Sequence, residues 1–306
     1  MIFNGEYYSS SINIPNDGTV LSYYIYAENN QDQESYFPPF GESDPLITII
    51  GDLPIVYSQN FEDSVDGWVV VGDAVDGLWE VGEPNGTYYG DTPVAPENDA
   101  SENGDQCFVT GNNAPANTPS NDDVDGGQTV LVSPTLDLLD EGRVLLSYYR
   151  WFTNNLGDNP NTDLWITQIS NDGGISWIDL ENTNISNNSW SKKLFFLEDY
   201  IELTSSIQFR FIAEDIYHEG EFGSGGSIVE AALDEIYIFS IEENQNIILG
   251  DVNFDSSIDV LDVVIVVNFA LSNAEPTNEQ YLAADLNLDG VIDILDIVLI
   301  INLILD

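Results

Sequence analysis

Basic residues are nearly absent from this sequence: five Lys and Arg face 54 Asp and Glu, and the formal net charge is −49. Nucleic-acid-binding proteins neutralise phosphates with Lys and Arg, and anionic membrane surfaces attract basic segments for the same reason. Nucleic acid and membrane surfaces are therefore excluded as partners. Self-repulsion this strong requires screening salt or bound cations, which favours a saline environment rich in calcium.

Cysteine, histidine and long apolar runs are also scarce. Cys107 is the single cysteine, so no disulfide framework is available. His218 is the single histidine, so neither a zinc peptidase site nor a Ser–His pair can be assembled from this sequence. A glycosidase needs only two carboxylates, but 54 acidic residues single out no pair. We therefore predict no catalytic residue and no enzymatic activity for this chain.

Membrane insertion is not expected either, because no stretch reaches the roughly 18 apolar residues of a membrane span. Residues 297–305 come nearest and are too short. Residues 1–8 lack a basic region and a long apolar core, so they do not predict a signal peptide.

Two segments near the C-terminus repeat one pattern of oxygen-bearing side chains. Residues 251–262 and 285–296 carry them at loop positions 1, 3, 5, 9 and 12. This is the ligand spacing of an EF-hand-type calcium loop, in which position 7 adds a backbone carbonyl. The sequence therefore predicts two calcium ions. The predicted ligands are Asp251, Asn253, Asp255, Ser257, Asp259 and Asp262 in the first loop, and Asp285, Asn287, Asp289, Val291, Asp293 and Asp296 in the second.

The two loops belong to a longer duplicated unit. Residues 251–272 and 285–306 share ten identities in 22 positions. An apolar helical run follows each loop, and no helix is evident before either loop. Position 12 is Asp where the standard EF-hand has Glu, and position 6 of the first loop is Ser256 where Gly usually makes the sharp turn. We expect the first loop to be the weaker site.

A duplicated loop–helix of this kind resembles the type I dockerin family. The resemblance implies calcium-dependent binding to a cohesin module on a partner protein, and an exported chain. In dockerins, loop positions 10 and 11 carry much of the partner specificity, commonly with hydroxyl residues. Here those positions are apolar in both repeats, which predicts either an apolar cohesin contact or burial against another part of the same protein. The residues are Val260, Leu261, Ile294 and Leu295.

The remainder of the chain is predicted to be mainly β. Residues 1–52 contain strand-like runs and resemble the rear half of an immunoglobulin-like module cut by the start of the chain; a complete small sheet is the alternative. Residues 53–241 alternate short strand-like runs with Gly, Asn, Asp and Pro loops, which favours a β-sandwich or jelly roll. Residues 242–250 form a linker, and residues 251–306 form the dockerin-like calcium-binding module.

The sandwich region also resembles the jelly-roll domains shared by MAM-type and carbohydrate-binding modules. The similarity lies in its opening Phe61-Glu62-Asp63 and its closing residues 232–238. In such folds the first and last strands lie side by side, and carboxylates on them hold a structural calcium. The resemblance implies a further calcium site at Glu62, Asp63 and Asp234.

Three local features of the sandwich region complete the candidates. Residues 170–177 match the Asp-box pattern and predict a stabilised β-hairpin. The acidic loop at residues 121–127 is either a calcium ligand set or a solvated loop. All six Trp residues fall in this region, and Trp190 is the one expected to be most exposed. Exposed Trp could stack on sugar rings, although most Trp in a sandwich lies in the core.

The function predicted from the sequence is calcium-dependent protein–protein assembly by the non-catalytic C-terminal region of an exported bacterial protein. Any catalytic domain would lie upstream of this chain. The alternatives are a carbohydrate-binding accessory module of a secreted glycoside hydrolase or peptidase, with a polysaccharide as ligand, or loops that bind calcium only to fold.

Overall fold

The computed structural model divides the chain into two compact units, Met1–Ile241 and Glu242–Asp306. It describes residues 2–3, 8–9, 19–28, 33–37, 46–116, 118–215, 226–241, 248–287 and 289–305. His218 and most of the predicted linker lie outside the described residues. None of the described helices is long and apolar enough to cross a membrane.

The start of the first unit consists of short antiparallel ladders. Strand β1 pairs with β2, β3 with β6, and β4 with β5. The strand-like runs expected in this region are found: residues 19–28 form two strands separated at Tyr24, and residues 46–50 form a third. The assignment to an immunoglobulin-like module stays a prediction. The bounds are β1 Ile2–Phe3, β2 Tyr8–Ser9, β3 Thr19–Tyr23, β4 Ile25–Glu28, β5 Glu34–Phe37 and β6 Leu46–Ile50.

The remainder of the first unit is an antiparallel β-sandwich, which confirms the predicted fold class. Its strands are β7 Ile55–Gln59, β8 Val69–Gly72, β9 Trp79–Gly82, β10 Tyr88–Tyr89, β11 Thr92–Pro93, β12 Cys107–Thr110, β13 Gly127–Val132, β14 Arg143–Gly157, β15 Trp165–Ser170, β16 Ile178–Thr183, β17 Asn187–Phe196, β18 Gln208–Asp215 and β19 Ser227–Ile241. One sheet has the order β17-β14-β19-β12-β9, with β7 also on β19, and the other has the order β16-β15-β18-β13-β8. Strands β10 and β11 form a separate two-stranded sheet.

The core lies between the two sheets because alternate residues of each strand face inward. Trp165 of β15 and Phe211 of β18 come from one sheet, and Phe152 of β14 and Ile238 of β19 come from the other. All four are buried. The prediction that most Trp in the sandwich is core is confirmed, since none of the six is exposed.

The first and last strands of the sandwich lie side by side. Strand β7 pairs with β19, with Gln59 opposite Ile236. The expected adjacency is therefore confirmed, but Phe61-Glu62-Asp63 is not itself a strand: it follows β7 in the chain. Phe61 turns into the core at φ 61°, where its ring meets Phe108 at 5.0 Å. Glu62 therefore lies in the loop that follows β7 and not in the sheet.

The second unit is helical, with α1 Val260–Ala270, α2 Asn278–Ala284 and α3 Ile294–Leu305. Its core contains Val252, Val266, Ala283, Ala284, Ile297 and Ile300. Helix α2 precedes the second loop, so the expectation of no helix before either loop is wrong there. The signal for α2 is the capping box at its start, in which Thr277 and Gln280 each accept a hydrogen bond from the other's backbone N–H.

Candidate functional site: two calcium loops and the helices that follow them

The first predicted calcium loop is closed by its own carboxylates. Asp251 accepts hydrogen bonds from Asp255 N at 3.1 Å and Ser256 N at 2.9 Å. Asp262, which is fully buried, accepts from Val252 N at 2.8 Å and Asn253 N at 3.1 Å. Positions 1 and 12 therefore both face the inside of the loop. Each carboxylate oxygen has more than one lone pair, so these bonds leave acceptor capacity for a cation.

The second loop repeats this network almost bond for bond. Asp285 accepts from Asp289 N at 3.2 Å and Gly290 N at 2.9 Å. Asp296, also fully buried, accepts from Leu286 N at 2.9 Å and Asn287 N at 3.3 Å. The structural duplication therefore extends from the sequence pattern to the hydrogen bonds.

The amide and carboxylate at positions 3 and 5 also pair in both loops. Asn253 Nδ2 donates to Asp255 Oδ2 at 2.9 Å, and Asn287 Nδ2 donates to Asp289 Oδ2 at 2.9 Å. In each loop this hydrogen bond fixes the side-chain oxygens of positions 3 and 5 next to each other.

Position 6 adopts the left-handed backbone conformation in both loops, with φ 67° at Ser256 and φ 83° at Gly290. Gly enters this region without steric cost, whereas a residue with a Cβ is strained there. The two loops thus have one shape, and Ser256 is the residue that fits it less well.

Carboxylates also start the helices that follow the loops. Asp259 is the N-cap of α1 and accepts from Leu261 N at 2.7 Å. Asp293 accepts from Leu295 N at 2.7 Å in the same way at α3. Ile258 and Ile292, at position 8, pack against the core of this unit. They form no β-bridge among the described residues.

The four predicted partner-binding residues lie in the first turns of the two helices. Their side chains remain between 54% and 65% exposed. These residues are Val260, Leu261, Ile294 and Leu295. The surface defined by these four side chains, which we call the helix-start surface, is apolar and open within this structure.

The residues of the two loops fit calcium by donor chemistry, since carboxylate, amide and carbonyl oxygens are the ligands that this ion prefers. The nearly buried Asp251, Asp262, Asp285 and Asp296 place negative charge inside the loops. In the part of the chain that the structure describes, no three His, Cys, Asp or Glu side chains are already gathered into a complete metal cluster. The number of ions and the individual ligands therefore stay predictions.

The sandwich site predicted at Glu62, Asp63 and Asp234 is brought together only in part. Glu62 Oε1 accepts from Asp105 N at 3.0 Å and Gln106 N at 2.9 Å, and Asp234 Oδ2 accepts from Ala100 N at 2.9 Å. Both carboxylates therefore hold the loop at residues 100–106. Asp63 is exposed and forms no part of these contacts.

Three acids of this region, Asp234, Asp99 and Glu62, lie near Cys107. Burial raises the pKa of the Cys107 thiol well above its usual range, and the carboxylates of Asp234, Asp99 and Glu62 raise it further. Burial also raises the pKa of Asp234 to about 7. Asp99 is a member of this group that the sequence analysis missed, because its neighbours are distant in the chain.

The remaining local predictions have mixed outcomes. The Asp-box hairpin is confirmed: Asp172 Oδ1 accepts from Ile175 N at 3.0 Å and Ser176 N at 2.9 Å, between β15 and β16. The expectation that Trp190 is exposed is wrong, because its ring is half-buried against Trp151 and its Nε1 donates to Asn98 O at 2.9 Å.

A duplicated pair of acidic loops, each followed by a helix with an open apolar start, defines a calcium-binding docking module. Residues 249–305 match the family model for the dockerin type I domain. The C-terminal segment is therefore a type I dockerin domain, which confirms the resemblance found in the sequence. This class of domain supports calcium-dependent assembly with a cohesin.

Solved structures also match the chain, at low identity. A cleaved adhesin domain of Lys-gingipain from Porphyromonas gingivalis has 15% identity and a TM-score of 0.39, over 60% of this chain and 97% of that one. The module TmCBM61, in complex with β-1,4-galactotriose, has 14% identity and a TM-score of 0.35, over 60% and 99%. The C-terminal family 22 carbohydrate-binding module of Clostridium thermocellum Xyn10B has 10% identity and a TM-score of 0.34, over 61% and 95%. No curated protein matches the chain.

Proposed function

We propose that this chain is attached to a cohesin-bearing partner by its dockerin domain, in an extracellular and calcium-rich setting. The observation that carries the proposal is the coincidence of two matched acidic loops with the exposed apolar helix-start surface directly after them. The dockerin domain is a non-catalytic module, and we propose that the whole chain is non-enzymatic.

In this proposal each loop holds one calcium ion through positions 1, 3, 5, 7, 9 and 12. The ligands of the first loop are Asp251, Asn253, Asp255, the Ser257 carbonyl, Asp259 and Asp262, and those of the second are Asp285, Asn287, Asp289, the Val291 carbonyl, Asp293 and Asp296. The ion neutralises four carboxylates per loop, because Asp occupies positions 1, 5, 9 and 12. Without that neutralisation the carboxylates repel one another, so ion binding and folding are coupled.

The helix-start surface supplies the partner contact. Ligands at positions 9 and 12 flank positions 10 and 11, so calcium fixes the backbone on which Leu261 and Leu295 stand. Four exposed apolar side chains on one small module are a feature that soluble proteins tend to cover. Each repeat presents a β-branched residue followed by Leu, so either helix offers a similar face.

The sandwich serves as a binding or spacer module, with a structural calcium at Glu62 and Asp234. Carbohydrate binding remains the alternative role. No exposed Trp platform supports it, because all six Trp side chains are buried or half-buried. Binding of the intact chain to polysaccharides on a glycan array is the measurement that would establish it.

Replacement of both leucines of the helix-start surface tests the assembly function. We expect Leu261→Asp combined with Leu295→Asp to lose about 2 kcal/mol or more of binding to a recombinant cohesin, which is roughly 30-fold in affinity. The measurement is calorimetry against a panel of recombinant cohesin modules, with calcium and with chelator. The matched control is Leu271→Asp, because Leu271 is 65% exposed and is the C-cap residue of α1, at the opposite end of the helix from Leu261.

Two outcomes would contradict the assembly function. One is unchanged affinity in the double variant, and the other is the absence of calcium-dependent binding to every cohesin in the panel. The second outcome, together with intact calcium binding, would leave the loops with a purely structural role.

A further inference from the structure

Several acidic side chains from distant parts of the chain meet at one end of the sandwich. The loop at residues 121–126 leads into β13, and Gly127 lies opposite Asp215 at the end of β18. Val124 N donates to Val229 O at 2.9 Å, which attaches this loop to β19. Ser227 Oγ donates to Asp163 Oδ2 at 2.6 Å, which attaches the start of β19 to the residues before β15. We call this group the β13–β18 carboxylate cluster; its members are Asp123, Asp125, Asp163, Asp215 and Glu230.

Burial of this cluster is far deeper than is usual for acidic residues, which are almost never fully buried unless they are paired. Asp163 and Glu230 are completely buried, and Asp123 and Asp215 are 2% and 1% exposed. Asp163 lies within hydrogen-bonding reach of Asp215, and the charge of Asp125 also acts on Asp215.

Asp215 is the member of the cluster whose two carboxylate oxygens are least satisfied. Both of its carboxylate oxygens are buried and accept no hydrogen bond from the described N–H and O–H groups; the neighbouring acid Asp163 lies within hydrogen-bonding reach. A neighbouring amide oxygen, Asn154 Oδ1, is also buried without a donor, while Asn154 Nδ2 donates to Asp163 O at 2.6 Å. Buried polar oxygens are normally satisfied, so an acceptor-rich, donor-poor region of this kind calls for a cation.

The basic side chains of the chain are engaged elsewhere. None of the salt bridges among the described residues involves the cluster. The partners are Asp199 for Arg143, Glu181 for Arg150 and Lys193, the Tyr149 ring for Lys192, and the Trp177 ring for Arg210. The described contacts of the five Lys and Arg side chains therefore lie outside the cluster.

We propose that the β13–β18 carboxylate cluster binds a divalent cation, with Asp215 as the central ligand. The described residues hold no preformed group of three such ligands, so Asp163 and Asp125, which lie beside Asp215, close around the ion when it binds. The candidate ligand atoms among the described residues are all hard oxygens, which suits calcium. Calcium fits better than magnesium, because it accepts carboxylates and carbonyls in irregular geometry, whereas magnesium demands a near-ideal octahedron. This site is separate in residues from the one at Glu62 and Asp234 and from the dockerin loops.

The test uses the intact chain and exploits the distribution of Trp. All six Trp residues lie between positions 68 and 190, and none lies in the dockerin domain. A thermal melt followed by Trp fluorescence therefore reports on the sandwich alone. We expect calcium to raise the melting temperature of the parent in this signal, and Glu62→Gln with Asp234→Asn to retain part of that rise.

The decisive variant is Asp215→Asn, with Asp140→Asn as the matched control, because Asp140 is an exposed aspartate of the same sandwich. We expect Asp215→Asn to weaken the calcium response at least tenfold in the calcium concentration required, while Asp140→Asn leaves it unchanged. In chelator the effect of the substitution on the melting temperature should be neutral or favourable. Asp215→Asn should melt at or above the parent temperature, because one buried negative charge is gone.

A full calcium response in Asp215→Asn, at unchanged calcium concentration, would overturn the proposal and leave Asp215 as a protonated acid. Should Asp215→Asn fail to fold, the Glu62→Gln, Asp234→Asn chain decides, since loss of every calcium effect on its Trp melt would also overturn the proposal. Repeating the melts with magnesium alone distinguishes calcium from the smaller ion: an equal response to magnesium would overturn the assignment to calcium.

Discussion

Asp172 is the residue whose electrostatics follow most directly from its local contacts. Its carboxylate accepts from the Ser176 hydroxyl at 2.6 Å, from Ser170 Oγ at 2.7 Å, and from two backbone N–H groups. These bonds favour the ionised form, and they lower the pKa of Asp172 to about 2, with the Ser176 hydroxyl as the largest cause.

We therefore predict that the Asp-box hairpin loses stability in acid in a defined window. The folded pKa lies below the unfolded value, so the stabilisation is present above about pH 4 and is lost as the pH falls towards 2. Ser176→Ala should raise the pKa of Asp172, measured by NMR titration of its carboxyl carbon. An unchanged pKa in Ser176→Ala would show that the hydroxyl does not hold the carboxylate.

At the scale of the element, the two calcium loops form a matched pair that differs at position 6. Ser256 and Gly290 both adopt positive φ, but only Ser256 carries a Cβ there. A left-handed residue with a Cβ costs about 1–2 kcal/mol. The first loop should therefore bind calcium more weakly than the second, provided that folding of the loop and ion binding are coupled.

We predict that Ser256→Gly strengthens calcium binding at the first loop by about fivefold, which corresponds to roughly 1 kcal/mol. The reciprocal change, Gly290→Ser, should weaken the second loop by a similar factor. Calorimetry on the intact chain, in backgrounds where Asp251→Ala or Asp285→Ala removes one loop, measures each site separately. A tighter first loop in the parent would contradict the prediction, as would changes of the opposite sign.

Helix α2 is an element that cannot be predicted from the sequence repeat. The two loop–helix repeats are recognised because each is local in sequence and the second copies the first. Helix α2 lies between the two repeats, is seven residues long, and contributes Ala283 and Ala284 to the core. The sequence signal for α2 was the capping box at Thr277 and Gln280. A search for repeated or periodic apolar residues does not detect this signal, because a capping box consists of hydrogen bonds between side chains and the backbone.

At the scale of the whole molecule, predictability depends on how far apart in the chain the contributing residues are. The β-sandwich class and the calcium loops follow from short-range patterns and were predictable. The β13–β18 carboxylate cluster was not, because it joins Asp125, Asp163 and Asp215 through the strand order of one sheet and the start of β19. Glu62 was predictable only in part. The pairing of the first and last strands was predicted, but the position of Glu62 in the loop after β7 depends on the turn at Phe61, which the sequence does not indicate.

The two compact units should respond differently to calcium removal. The dockerin domain has a small apolar core, and each of its loops holds four carboxylates that repel one another without an ion. The sandwich has a much larger core between its two sheets. We therefore predict that chelator at 25 °C unfolds α1, α2 and α3 but leaves the sandwich folded, although less resistant to heat.

Circular dichroism and Trp fluorescence on the same sample separate the two responses. Chelator should abolish most of the helical signal near 222 nm, because the α-helices of the described chain all lie in the dockerin domain. Trp emission should keep its folded wavelength, since every Trp belongs to the sandwich. Restoring calcium should return the helical signal by mass action on the folded state. A helical signal that survives chelation would show that the dockerin core folds without its ions, and a simultaneous red shift of Trp emission would show that the sandwich depends on calcium for folding as well.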